Sequence, residues 1–182
     1  EKEWGVAIRI AKALGKIGGD EARNFLIKGL KSSDPKIRKG IIRALGSFCH
    51  DEKAILSIRQ CAKNDSSYRV EAIALHMLGK VKDRDSFAFL ESSISRESHN
   101  AMAQTAIYNA LAELEDEKSW DYLIRGAEYG AHRNSRQAAM RALAKLAHRY
   151  PYRKVEVVEH LTRFAHEKRG TPASTFRGKL GA

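Results

Sequence analysis

Apolar positions return along this chain with the period of an α-helix, and one column recurs from end to end. A Leu followed by Gly or Ala appears as Leu14-Gly15, Leu45-Gly46, Leu78-Gly79, Leu111-Ala112, Leu143-Ala144 and Leu180-Gly181, at intervals of 31, 33, 33, 32 and 37 residues. Intervals of this size mark repeats in which one small unit stacks on the next. The second repeat shows its helix best. Ile37, Gly40, Ile41 and Ala44 precede Leu45 and Phe48 follows it, a spacing that lines up one helical face. The residue before the Leu is Ala13, Ala44, Ala110 or Ala142, with Met77 the exception. Small side chains there, and the Gly after the Leu, allow neighbouring helices to approach closely. A Gly inside a helix costs about 1 kcal/mol against Ala, so its return at one register predicts packing that offsets the cost.

After each such helix come a turn and an acidic residue, Asp20, Asp51, Asp83 or Asp116. Each is expected to cap a second helix, over about 20–31, 51–63, 84–94, 117–129 and 152–167. The run Ser32-Ser33-Asp34-Pro35 opens the next repeat with helix-start chemistry. No stretch alternates with the strand period. The pattern predicts an all-α fold, a right-handed α-α superhelix of about five two-helix repeats in a single domain. The helix pairs fall at about 4–31, 35–63, 66–94, 99–129 and 133–167, with a partial repeat over 171–182. Neither end carries the polar cap that closes a solenoid, so the chain is expected to be a fragment that continues in both directions.

The stretch from Asp34-Pro35-Lys36-Ile37-Arg38 to Ala44-Leu45-Gly46 resembles a HEAT repeat of the phycobilisome-lyase type. A narrower resemblance lies in Trp4-Gly5-Val6 leading to Ala11-Lys12-Ala13-Leu14-Gly15-Lys16-Ile17-Gly18-Gly19, in Tyr68-Arg69-Val70-Glu71-Ala72 followed by Leu78-Gly79-Lys80, and in Glu128-Tyr129-Gly130 through Arg136 to Arg141-Ala142-Leu143-Ala144. These runs are similar to the C-terminal helical region of bacterial and archaeal zinc aminopeptidases of the aminopeptidase N family. The resemblance implies a non-catalytic, cytoplasmic domain that packs against the preceding catalytic domain of the same chain and gates it. Zinc would belong to that other domain, with its HExxH and GxMEN motifs. His166-Glu167-Lys168-Arg169-Gly170 has Gly170 where a second zinc ligand must stand, so it is not a zinc site.

Composition narrows the functions. Of 182 residues, 43% are apolar and 30% charged, as in soluble globular chains. No apolar run is long enough to span a bilayer. Two cysteines, Cys49 and Cys61, are too few for a disulfide framework and are expected to pack reduced in the core. Nucleophile elbows, glycine-rich phosphate loops and paired histidines at metal spacing are missing from the sequence, so no catalytic residue, cofactor or metal ligand is assigned within the chain.

The net charge of +11 matters more by position than by sum. Two residues before each marker Leu stand Lys12, Arg43, His76, Asn109 and Arg141; two after stand Lys16, Ser47, Lys80, Glu113 and Lys145. Both positions leave the apolar face. In repeats of this kind the second helix of each pair lines the concave side, where these residues would form a mainly basic ladder. Such a ladder suits a phosphate backbone or the carboxylates of a peptide or protein; a solvated helix face is the plainer alternative. A second cluster gathers Arg133, Arg136, Arg141 and Lys145 near Tyr129, Tyr150 and Tyr152. Basic residues among aromatics serve single-stranded nucleic acid, but amphipathic side chains lying over a helical loop account for them better. Trp4 and Trp120 are expected as core or inter-domain packing residues. Beside the peptidase-domain reading stand a nucleic-acid-binding solenoid and a protein-interaction scaffold.

Overall fold

The computed structural model describes residues 3–83, 85–96, 98–128 and 130–166. Ten α-helices follow in chain order: α1 (Glu3–Ile17), α2 (Gly19–Gly29), α3 (Pro35–Leu45), α4 (Glu52–Asn64), α5 (Tyr68–Val81), α6 (Ser86–Ser93), α7 (Met102–Leu114), α8 (Trp120–Ala127), α9 (Arg133–Arg149) and α10 (Lys154–His166). Single 3-10 turns lead into α7, α8 and α10. There is no strand among the described residues. The helices pair as α1/α2 through α9/α10, giving an α-α solenoid of five two-helix repeats. Leu180 and the segment after His166 lie outside the described residues.

Helix starts follow the expected chemistry at three sites and depart from it at two. The Asp34 carboxylate accepts from the Lys36 N–H at 2.7 Å and Pro35 takes the first helical position of α3. Asp51 accepts from the Ala54 N–H at 2.9 Å at the head of α4, and Asp116 from the Lys118 N–H at 2.9 Å. Asp20 and Asp83 are not caps. Asp20 lies within the first turn of α2 and pairs with Arg23 at 2.8 Å. Asp83 receives Arg59 at 2.7 Å, and α6 begins three residues later. A guanidinium within reach gives a carboxylate a charge-assisted bond about twice as strong as a neutral one, so Asp20 is taken up by Arg23 one turn along the same helix and Asp83 by Arg59 of α4.

The turn leaving each of the first four odd-numbered helices contains a left-handed residue: Gly18 (φ 71°), His50 (62°), Lys82 (50°) and Glu115 (55°). Only the first is the glycine that this conformation favours.

Packing divides the helices into two layers. α1, α3, α5, α7 and α9 lie side by side in succession, whereas the even-numbered helices make their main contacts with the odd ones and α2 barely touches α4. In a curved stack the layer with the closer helix spacing is the inner one, so the odd helices form the concave side. Their spacing is set by small residues. A Cβ on Gly15 would stand 3.0 Å from the Ala44 carbonyl oxygen, and one on Gly46 2.6 Å from Met77 Sδ. A Cβ on Gly79 would overlap the Ala110 backbone, 2.5 Å from its Cα. The marker residues Leu45, Leu78, Leu111 and Leu143 are fully buried between the layers, each contributing about 1.5–3 kcal/mol of apolar burial.

Polar links fasten repeat to repeat. Arg38 of α3 is buried and grips Asp65 with two bonds, 2.8 and 2.7 Å, while also donating to the carbonyls of Ser32 and Ser33. Arg23 of α2 is likewise buried and reaches Asp51 at 2.6 Å. Burial alone would raise the Asp51 carboxyl, but the Ala54 N–H and the Arg23 guanidinium outweigh it and hold it below 3.8. Trp120 is buried and donates to Glu156 at 3.0 Å, under the Arg153 guanidinium. Trp4 is half-buried, with the Lys36 ammonium 4.7 Å from its ring centre. Cys49 departs from expectation: it is exposed, because it falls in the turn after α3 where Phe48 takes the buried place. Cys61 is half-buried, and burial pushes its thiol up to about 11.

Gly79→Ala should therefore destabilise by about 1–3 kcal/mol through overpacking, although Ala is the better helix former. Gly5→Ala, in α1 with open space around it, should stabilise by about 0.5–1 kcal/mol; urea unfolding of the two variants checks the pair. A second expectation concerns acid. Asp51 ionises below its ordinary value, so the stability it contributes is present above pH 3.8 and is lost as pH falls through the depressed value. Asp51→Ala should remove that acid-dependent increment and lower stability by about 1–2 kcal/mol, since it uncaps α4 and leaves Arg23 with Asp20 as its one carboxylate partner; thermal melts of both proteins between pH 6 and pH 2.5 measure it.

Candidate binding site on the concave face

The ladder residues lie on the inner layer, but the helix that carries them is the first of each pair, not the second. Lys12 and Lys16 project from α1, Arg43 from α3, His76 and Lys80 from α5, and Arg141 and Lys145 from α9. The reason is the small-residue column. It sits on the helices that must approach most closely, and those make the inner layer.

Two hollows divide this face. The first, about 410 Å³, lies between α1 and α3 and brings together Lys12, Lys16, Arg43 and Ser47 above Gly40. The second, about 380 Å³, lies among α5, α7 and α9. Its polar lining is His76, Asn100, Thr105, Asn109, Asn134, Gln137 and Arg141, over Ile73, Met102 and Ala106.

Charge is unevenly spread. Lys39 and Lys36 stand one and two turns before Arg43 on one face of α3, and Arg69 of α5 acts on Lys39. Burial, then Arg43, Arg69 and Lys36, hold the Lys39 ammonium below the ordinary lysine value. Helices α1, α3 and α5 thus offer Lys12, Lys16, Lys36, Lys39, Arg43, Arg69 and Lys80. Their carboxylates are Glu3, at the first residue of α1, and Glu71, which is buried against Arg96 at 2.7 Å. At the other end the charge is balanced, since Lys145 pairs with Glu113 at 3.0 Å. The extra cations Lys36, Lys39 and Arg69 are legible only if the ladder is followed one or two helical turns back from the marker Leu.

His76 sits where the two halves meet. Burial lowers its pKa most; Glu113 raises it, and Lys80, Lys145 and Arg43 lower it further. The net effect holds the ring below the ordinary histidine value of 6.5.

The basic-aromatic cluster is dispersed and committed to structure. Arg136 donates to the Ala127 carbonyl at 2.8 Å and lies over the Phe164 ring. Tyr152 donates to Glu117 at 2.6 Å and Tyr150 to the Glu115 carbonyl at 2.9 Å. Arg133 is exposed at the first turn of α9, and Tyr129 lies outside the described residues. Among the described residues, no group of three His, Cys, Asp or Glu is placed to hold a metal ion, and no helix is long and apolar enough to cross a membrane.

Stacked helix pairs with a built inner face define a helical-repeat scaffold. A family model described as HEAT repeats matches residues 1–73 and 55–144. The chain belongs to the HEAT-repeat family. No curated protein matches it.

His76 should titrate below pH 6.5 by NMR. Because Glu113 raises its pKa while Lys80 lowers it, Glu113→Gln should move the midpoint further down and Lys80→Gln should move it up. Keeping this ring neutral contributes stability present above pH 6.5, lost as pH falls through that value to the depressed one.

Proposed function

We propose that this chain is a non-catalytic scaffold that seats an acidic polypeptide segment of a partner protein along its concave face. The observation that carries the reading is the cationic field of α1, α3 and α5, seven Lys and Arg, with the Glu113 carboxylate of α7 acting on Lys80 at its edge. Lys39 already feels that crowding, and an incoming anion relieves it. Carboxylates spaced along an extended chain meet cations presented by successive helices at about 10 Å, the helix-packing distance.

The second hollow favours polypeptide over nucleic acid. Side-chain amides present a donor and an acceptor side by side, as a peptide unit does, and Asn100, Asn109, Asn134 and Gln137 supply four. Neither hollow is lined by Phe, Tyr or Trp, the platforms on which single-stranded bases stack.

Fluorescence anisotropy with a twelve-residue Glu-rich peptide, and with an oligothymidylate of equal charge, tests the reading. The peptide should bind more tightly than the oligonucleotide and weaken about tenfold or more between 20 and 200 mM salt. The double variant Lys16→Glu, Arg43→Glu should lose about tenfold or more in affinity. Tighter binding of the oligonucleotide would move the assignment to nucleic acid, and no binding of either at low salt would remove it.

A finer reading makes this scaffold the gating domain of a zinc aminopeptidase, with zinc held by that protein's catalytic domain. Its whole support is the likeness of the runs at Trp4-Gly5-Val6, Tyr68–Ala72 and Arg141–Ala144. An HExxH followed by a Glu some twenty residues on, encoded upstream, supports it; a gene lacking both removes it.

A further inference from the structure

Internal repetition shows what the outer face of the first repeat is built to receive. Four positions of the inner helices face the preceding repeat: eight, four and one residues before the marker Leu, and three after it. In the third repeat they are Val70, Ala74, Met77 and Val81, all buried. In the fourth, Ala103, Ile107 and Ala110 are buried, and in the fifth Ser135, Ala139, Ala142 and Leu146 are buried. The same register in the first repeat is Val6, Ile10, Ala13 and Ile17. There Val6 is 43%, Ile10 48% and Ile17 75% exposed, and Ala13 is exposed too. Phe25 of α2, 62% exposed, stands beside them, and with Ile10 and Leu14 it lines two adjoining hollows of about 350 and 470 Å³.

The register also names the contact. The residue after one marker Leu packs on the residue before the next: Gly15 on Ala44, Gly46 on Met77, Gly79 on Ala110. Ala13 is the preceding such acceptor in the series, and among the described residues no glycine stands against it. Solitary exposed apolar residues are ordinary on protein surfaces. Here they are contiguous and occupy the positions that the later repeats bury wholly or, at Ile37 and Leu114, in part.

We infer that this face docks a further helix pair of the same repeat type, stacked ahead of α1 with a small residue seated on Ala13. The interface continues the one already made four times between the five repeats, and it is separate from the cationic face.

The experiment appends the chain's own second repeat. Residues 35–67 placed directly before Trp4 keep the interval of 33 residues that separates Leu45 from Leu78 and set the copied Gly46 opposite Ala13. The extended chain should gain helical signal and melt in one transition, raised by roughly 5–10 °C. Amide exchange in α1 should slow by about tenfold or more, as expected of an element that leaves the fraying end of the stack. Ala13→Arg should be neutral in the 182-residue chain and should abolish the gain in the extended one. An extended chain that gains no helix, or that melts in two steps with the original midpoint unchanged, overturns the inference. So does self-association of the original chain that Ala13→Arg abolishes, which would make a second copy the occupant.

Discussion

The structure depends on how closely the odd-numbered helices can approach. Gly15, Gly46 and Gly79 each remove a side chain where the next inner helix presses in. A Cβ at Gly79 would overlap the Ala110 backbone and force α5 away from α7, while at Gly15 and Gly46 the neighbouring Ala44 and Met77 would have to shift. Curvature, the concave face and the distance between successive basic side chains all follow from that one contact. The glycines weaken their own helices by about 1 kcal/mol each, and burial of Leu45, Leu78 and their equivalents more than offsets this.

This explains why recurrence in sequence translated so directly into architecture. A solenoid needs each unit to bury its face against its neighbours, so the burying column must return at a constant interval, and it does. The same logic made Asp34, Asp51 and Asp116 readable as helix starts. It failed for Asp83, since a local pattern does not reveal an arginine arriving from another helix, as Arg59 does, and for Asp20, which falls inside α2 and pairs with Arg23 one turn on. Arg23 and Arg38 are buried, and nothing local announces it, because their carboxylate partners lie 28 and 27 residues away. Lys82 and Glu115 adopt left-handed backbone that no glycine announces.

The binding face was half legible. Positions flanking the marker Leu gave Lys12, Lys16, Arg43, His76, Lys80, Arg141 and Lys145, yet not the helix of the pair that faces inward. Lys36, Lys39 and Arg69 were missed because they stand a turn or two away along the same face. What the sequence did not convey is polarity along the stack. Glu113 neutralises Lys145 at one end, while the other end carries its cations without nearby acids. A uniform ladder would serve any polyanion of sufficient length; a graded one, cationic and then lined with amides, orients an extended chain.

The central claim is that the closely packed inner layer is also the binding layer. Amide chemical-shift mapping of the isotopically labelled chain with a Glu-rich peptide tests it most directly. The account predicts perturbations concentrated on the inner faces of α1, α3 and α5, around Lys12, Lys39, Arg43 and Arg69, and trailing toward Asn109 and Gln137. Perturbations confined to the even-numbered helices, or to the exposed apolar end around Ile10 and Phe25, would contradict it.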